Sequence, residues 1–182
     1  MRNIIVANAN IENARKIASV LKTAGFPMPT VCNTGAQVMQ LMGRSCRGGV
    51  VVCGVKLRDM QAIGLPKMAE EGFEFLYISR GQVSIEWEHP YLLLPLNRAV
   101  LIASVTMLQR IHEGSSLNLK KRIQSCGMDE KQIVDRAKQL LIYRCNLSES
   151  AAHRFLQKRS MNSSKKLCET AMLVLETLGA SS

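Results

Sequence analysis

Val50-Val51-Val52-Cys53-Gly54 is the stretch on which the fold turns. Its valines are β-branched, and no polar residue interrupts the run up to Gly54. A strand with one wet face alternates apolar and polar residues. A run that is apolar throughout is a strand buried on both faces, as in a parallel sheet covered by helices. Working outward, Ile4–Ala7 is a second apolar run of strand length. Thr30–Cys32, Phe73–Ile78 and Tyr91–Leu94 read as three more strands. Between the first two runs, Ala14, Ile17, Ala18 and Leu21 recur on one helical face, closed by Gly25 and Pro27. Ala36–Met42 predicts a second helix through Val38, Met39, Leu41 and Met42, and residues 62–71 are weakly helical. From Arg98 onward, Val100, Leu101, Val105, Leu108 and Ile111 mark another helix. Strands alternating with helices imply βαβ units and a parallel sheet.

Gly114, Ser115 and Ser116 break this pattern, and everything beyond them reads helical. Leu117, Leu119 and Ile123 continue into a connecting segment that either dimerises or merely links. Asp129 is an N-cap candidate for a helix whose apolar face is Ile133, Val134, Ala137, Leu140 and Leu141. Ser148 is a second N-cap candidate, ahead of Ala151, Ala152, Phe155 and Leu156. After a break at 162–164, Leu167, Ala171, Val174 and Leu178 line a third helix. Three helices in about 50 residues can share a small core. The expected organisation is an α/β domain at 1–112, a connector at 113–128 and a helical domain at 129–178.

The 182 residues carry 24 Lys and Arg against 14 Asp and Glu, a net charge of +10. The charge is concentrated. Between residues 136 and 166, eight basic side chains face one acidic side chain, Glu149, a net of +7. Such a patch suggests a polyanionic partner, although a solvated helical surface has the same composition. The six cysteines, at 32, 46, 53, 126, 145 and 168, include no C-x-x-C pair and no His at a zinc-site interval. Reduced thiols are the expectation, with no metal and no cofactor. The opening MRNIIVANAN turns polar at Asn8, too early for a signal-peptide core. No apolar run approaches the ~20 residues of a membrane span. A cytoplasmic protein without membrane contact is expected.

The order of segments in the first half resembles a bacterial response-regulator receiver domain, a five-stranded flavodoxin-like fold. NIIVANAN (3–10), VVVCGVKLRDM (50–60), FEFLYIS (73–79) and YLLLPL (91–96) match its landmarks over residues 1–112. Receiver chemistry needs a phosphoacceptor carboxylate, and further carboxylates to hold Mg²⁺, a hard ion that takes oxygen ligands. The resemblance puts the two acidic positions at Asn8 and Ala9, the acceptor at Gly54 and the family's lysine at Leu94. Ser79 keeps the switch hydroxyl. Asp59 is acidic but lies five residues beyond the acceptor position. The expectation is a pseudo-receiver that serves dimerisation, or contact with a regulatory protein or small ligand.

In the second half, AKQLLI (137–142), LSESAAHRFLQKRSM (147–161) and KKLCETAMLVLETL (165–178) resemble the ANTAR domain, a three-helix RNA-binding module. Asn146, where Gly is common, and Thr170, where Val is usual, depart from its pattern. A receiver-like domain followed by ANTAR is itself the layout of that family. The resemblance implies transcription antitermination: dimers hold paired stem-loops in nascent leader mRNA, so that an overlapping terminator cannot form. RNA sequence is read mostly in loops, where bases are splayed and accessible. The candidate RNA-binding residues are Lys138, Arg144, His153, Arg154, Lys158, Arg159, Lys165 and Lys166, each also readable as a solvated side chain. Arg154 and Lys158 share a helix face at i, i+4. Phe155 fits the apolar stripe, whereas Tyr143 and His153 are open between RNA contact and surface. Ser160 either donates to phosphate or caps its helix. Trp87 reads as packing.

The alternative is a DNA-binding regulator with a helix-turn-helix, which the short 162–164 break would permit. An enzyme is not expected. His89, His112 and His153 are scattered, no Cys or Ser sits in a nucleophile motif, and Gly48 and Gly49 precede a strand instead of following one.

Overall fold

The computed structural model describes residues 3–45, 48–69, 72–81, 88–112, 123 and 127–179. The break at 114–116, most of the connector at 113–128, Trp87, Cys46 and Cys126 lie outside the described residues, as does the side chain of His112. The chain packs as two compact units, residues 1–82 with 93–98, and residues 83–92 with 99–182.

Five strands form one sheet in the order β2-β1-β3-β4-β5: β1 Asn3–Ala7, β2 Thr30–Cys32, β3 Gly49–Gly54, β4 Phe73–Ser79 and β5 Tyr91–Leu93. β1 pairs in parallel with β2 and β3, and β3 with β4. Every residue of β3 is buried, as its unbroken apolar run requires. The approach to β3 depends on Gly48. Its φ is +67°, and a Cβ there would sit 2.1 Å from the Gly72 carbonyl oxygen, so only glycine lets the two backbones come so close.

α1, Ile11–Thr23, buries Ala14, Ile17, Ala18 and Leu21, the face read from the sequence. The Asn10 side chain caps it by accepting from the Glu12 N–H. α2, Gly35–Gly43, buries Val38 and Met42 of its four apolar residues, leaving Met39 exposed and Leu41 half-buried. The weakly helical stretch after residue 62 is shorter than expected: a 3₁₀ turn at Ala62–Gly64 runs into α3, Leu65–Met68.

α4, Arg98–His112, belongs from Ala99 onward to the second unit. Leu101, Ala103, Ser104, Val105, Met107, Leu108, Gln109 and Ile111 are all buried, more than one stripe can account for. Within this unit, the Ser104 hydroxyl lies 3.9 Å from the Cys145 sulfur, and the Ile111 carbonyl accepts from Lys165 Nζ at 2.8 Å. Among its described residues the unit also holds three further helices: α5 Glu130–Cys145, α6 Glu149–Asn162 and α7 Leu167–Gly179. All three pairs are in contact, around a core that includes Ile133, Ala137, Leu141, Phe155, Leu156, Ala171, Val174 and Leu178.

Candidate nucleic-acid interface

The position of α6 is set by its two ends. α5 opens on a capping box: Asp129 accepts from the Gln132 N–H at 2.7 Å, and the Gln132 side chain accepts from the Asp129 N–H at 3.1 Å. It closes at Asn146, whose φ of +56° is left-handed and turns the chain. The Asn146 side chain then donates to the Tyr91 carbonyl at 2.9 Å. Two residues on, Ser148 caps α6 by accepting from the Ala151 N–H. At the far end, the Ser163 hydroxyl donates to the Arg159 carbonyl and the Ser160 hydroxyl to the Lys165 carbonyl, at 2.6 and 2.8 Å. Ser160 is therefore occupied in the α6–α7 turn.

With Ala151, Ala152, Phe155 and Leu156 turned inward, α6 presents His153, Arg154, Gln157, Lys158 and Met161 outward. Arg154, Lys158 and Arg159 line one open groove with Glu88, His89 and Gln157, about 300 Å³ in volume. The guanidinium of Arg154 meets the Glu88 carboxylate at 3.1 Å, both about half exposed. That pair joins residues 66 positions apart, so no local spacing could have signalled Glu88.

The eight candidate cations do not stand alike. His153, Arg154, Lys158 and Lys166 are exposed. Lys138 is engaged with Asp135 at 2.9 Å and Glu149 at 3.9 Å, and its side chain is only 19% exposed. The hydrogen bond from Lys138 holds the Asp135 carboxyl below its ordinary range. Lys165 is spent on the Ile111 carbonyl, and burial lowers its pKa. Arg144 is half-buried, its guanidinium carbon 5.9 Å from the centre of the Tyr143 ring. Arg159 is buried, its guanidinium stacked 3.8 Å above the Phe155 ring, where it contributes to the core. Tyr143, left open by the sequence, is 81% exposed.

In the first unit, Asn8, Gly54, Ser79 and Leu94 stand at or just past the ends of their strands. Asn8 accepts from the Asn10 N–H at 3.0 Å. A Cβ on Gly54 would come within 3.1 Å of the Asn8 amide nitrogen. The Ser79 hydroxyl donates to the Gly81 carbonyl at 2.7 Å, and Leu94 is 44% exposed. Ala9 follows Asn8 directly, so these five positions offer no carboxylate for a phosphoryl group or its metal ion. Asp59 serves elsewhere: its two carboxylate oxygens accept from the N–H groups of Gly35 and Ala36 at 2.7 and 3.1 Å. Those bonds at the N-terminus of α2 hold its pKa low.

Among the described residues, no helix is long and apolar enough to cross a membrane. No curated protein matches the sequence. Among solved structures, the RcsB response regulator of Salmonella typhimurium is similar in fold, with 10% identity, 91% of this chain and 94% of that chain covered, and a TM-score of 0.50. A response regulator receiver domain protein from Bacillus halodurans matches at 17% identity, 63% and 98% coverage and a TM-score of 0.49. Full-length FixJ from B. japonicum matches at 16% identity, 98% coverage of both chains and a TM-score of 0.49. The family model of the ANTAR domain matches residues 127–175, spanning α5, α6 and most of α7. Residues 127–175 thus match the ANTAR domain, and the chain shares its fold with a response regulator.

Proposed function

We propose that the protein is a transcription antiterminator that binds paired stem-loops in nascent leader mRNA and prevents the terminator from forming. It acts in the cytoplasm as a homodimer, without catalysis. The receiver-like domain, residues 1–112, takes no phosphoryl group and serves dimerisation or input from a regulatory protein or small ligand. Residues 113–128 connect it to the RNA-binding domain at 129–178. One observation carries this reading: the outward face of α6, inside an ANTAR domain, presents Arg154 and Lys158 to solvent one helical turn apart. Cations so placed meet phosphates of a loop whose bases remain accessible. Lys166 and His153 extend the surface, Arg144 adds a cation on α5, and Lys138, Arg159 and Lys165 support it from within.

The test is binding of the full chain to a two-hairpin leader RNA at two salt concentrations. A loop-scrambled RNA and duplex DNA of the same leader serve as controls. Wild type should prefer the intact loops. The double reversal R154E/K158E should abolish that binding and leave the circular dichroism and the dimer unchanged, because both side chains are exposed. Neutralising both residues should reduce the salt slope by about 1.4, from ~0.7 per phosphate contact on single strands. Unchanged affinity of the charge-reversed chain refutes the site. Preference for duplex DNA refutes the function.

A further inference from the structure

We infer a second RNA-contacting surface on α5, a stacking platform for an unpaired base centred on Tyr143. The inference rests on the RNA reading above and adds to the outward face of α6 a second site, in which Arg136 and Arg144 of the basic patch flank an aromatic ring. Arg136, Gln139, Leu140, Tyr143 and Arg144 fall at i, i+3, i+4, i+7 and i+8 of α5 and so form one stripe. With Leu175 of α7 they line an open cleft of about 470 Å³. The chemistry of this lining is specific. Tyr143 is 81% exposed, an aromatic ring held in water with no core to fill. The Arg144 guanidinium lies 5.9 Å from its centre. Arg136 is exposed, its Nη1 3.5 Å from the Met128 sulfur. Gln139 is exposed and offers an amide, and Leu140 and Leu175 supply an apolar floor.

Among the described residues, two guanidinium groups and no carboxylate line this cleft. An aromatic face beside two cations, with one amide in reach, fits a splayed nucleotide. The base stacks, the cations meet phosphate, and the amide reads an edge. An apolar peptide would gain nothing from the paired arginines, and an acidic one would leave the ring unused. The occupant is therefore a single-stranded nucleotide of the RNA loop.

The experiment uses the full chain and hairpin RNA carrying 2-aminopurine at successive loop positions. Y143A is expected to weaken loop binding by about fivefold or more, the range for losing one base–aromatic stack. It should also remove the fluorescence quenching that wild type shows at one position. Y143F keeps the ring face and should retain both. R136Q should lower affinity and salt slope but keep the quenching. Wild-type binding that survives Y143A to within about twofold, below any stacking contribution, overturns the platform and leaves the antiterminator reading standing. A wild-type chain that binds no hairpin overturns the RNA reading itself. A Y143A chain whose sedimentation shows a lost dimer, with monomer affinity for the loop intact, overturns the platform in favour of a self-association surface.

Discussion

Asn146 makes two contributions that substitution can separate. Its backbone is left-handed, at φ +56°, and its side chain donates to the Tyr91 carbonyl at 2.9 Å. A left-handed backbone costs most residues about 1–2 kcal/mol, least for Gly and Asn. A hydrogen bond of this kind contributes about 0.5–1.5 kcal/mol. N146G keeps the backbone but loses the bond, and its freer unfolded chain costs roughly another 0.4–1 kcal/mol. A loss of about 1–2 kcal/mol is expected for N146G. N146A loses the bond and also strains the backbone, so about 2–3 kcal/mol is expected. The order is wild type, Gly, Ala, separated by steps of about 1 kcal/mol, each about 4–8 °C in Tm for a unit of this size. Urea denaturation, followed by circular dichroism, measures it. A glycine variant as stable as wild type refutes the role of the side chain. An alanine variant equal to glycine refutes the left-handed turn. RNA affinity of the folded glycine variant should stay near wild type, because the turn itself persists.

Three other predictions follow from the packing. Thr170 is 1% exposed and its hydroxyl has no hydrogen-bond partner among the described residues, so T170V should stabilise the helical unit by about 1 kcal/mol; a destabilised valine variant in the same urea assay contradicts this. Burial pushes the Cys32 and Cys145 thiols up to about 11 and about 12, and Cys53 higher still. The unfolded chain ionises its thiols near ~8.5. Their stabilising effect is therefore complete below that pH and is lost as pH rises towards the folded values, by up to about 1.4 kcal/mol per pH unit for each thiol. The urea midpoint should fall between pH 8.5 and 10.5, less steeply in C32A; an equal slope in the variant removes Cys32 from the account. Incubation with acetyl phosphate and Mg²⁺ should leave the intact mass unchanged, since Asn8, Ala9 and Gly54 supply no carboxylate; a stable phosphoprotein would overturn the alignment of these positions.

What could be read in advance followed from short-range pattern. The apolar run at 50–53 located the buried strand, and the spacing of Ala14, Ile17, Ala18 and Leu21 gave the inner face of α1 residue for residue. The caps at Asp129 and Ser148 follow the same local logic. The site was legible as a composition but not as an arrangement. Eight cations look equivalent in a string, yet Arg159 lies over Phe155, Lys165 reaches the carbonyl of Ile111, and Lys138 is held by Asp135 and Glu149. The Lys165 contact spans 54 residues, which no periodicity encodes. Asp59 shows the same limit: its value lies in two N–H groups more than twenty residues upstream.

The turn between α6 and α7 has a consequence for how tightly any ligand can be held. Ser160 and Ser163 commit both hydroxyls to carbonyl groups of the turn itself. These hydroxyls are then poor donors to a ligand, but they fix the last turn of α6 before anything binds. Ordering a side chain or loop on association costs about 0.5–1.5 kcal/mol for each mobile group. Here the turn itself is already ordered in the free protein, so only the exposed side chains of α6 remain to be fixed by a partner. Discrimination between partners then falls to the partner's own shape, and loosening the turn would shorten complex lifetimes without removing a single contact.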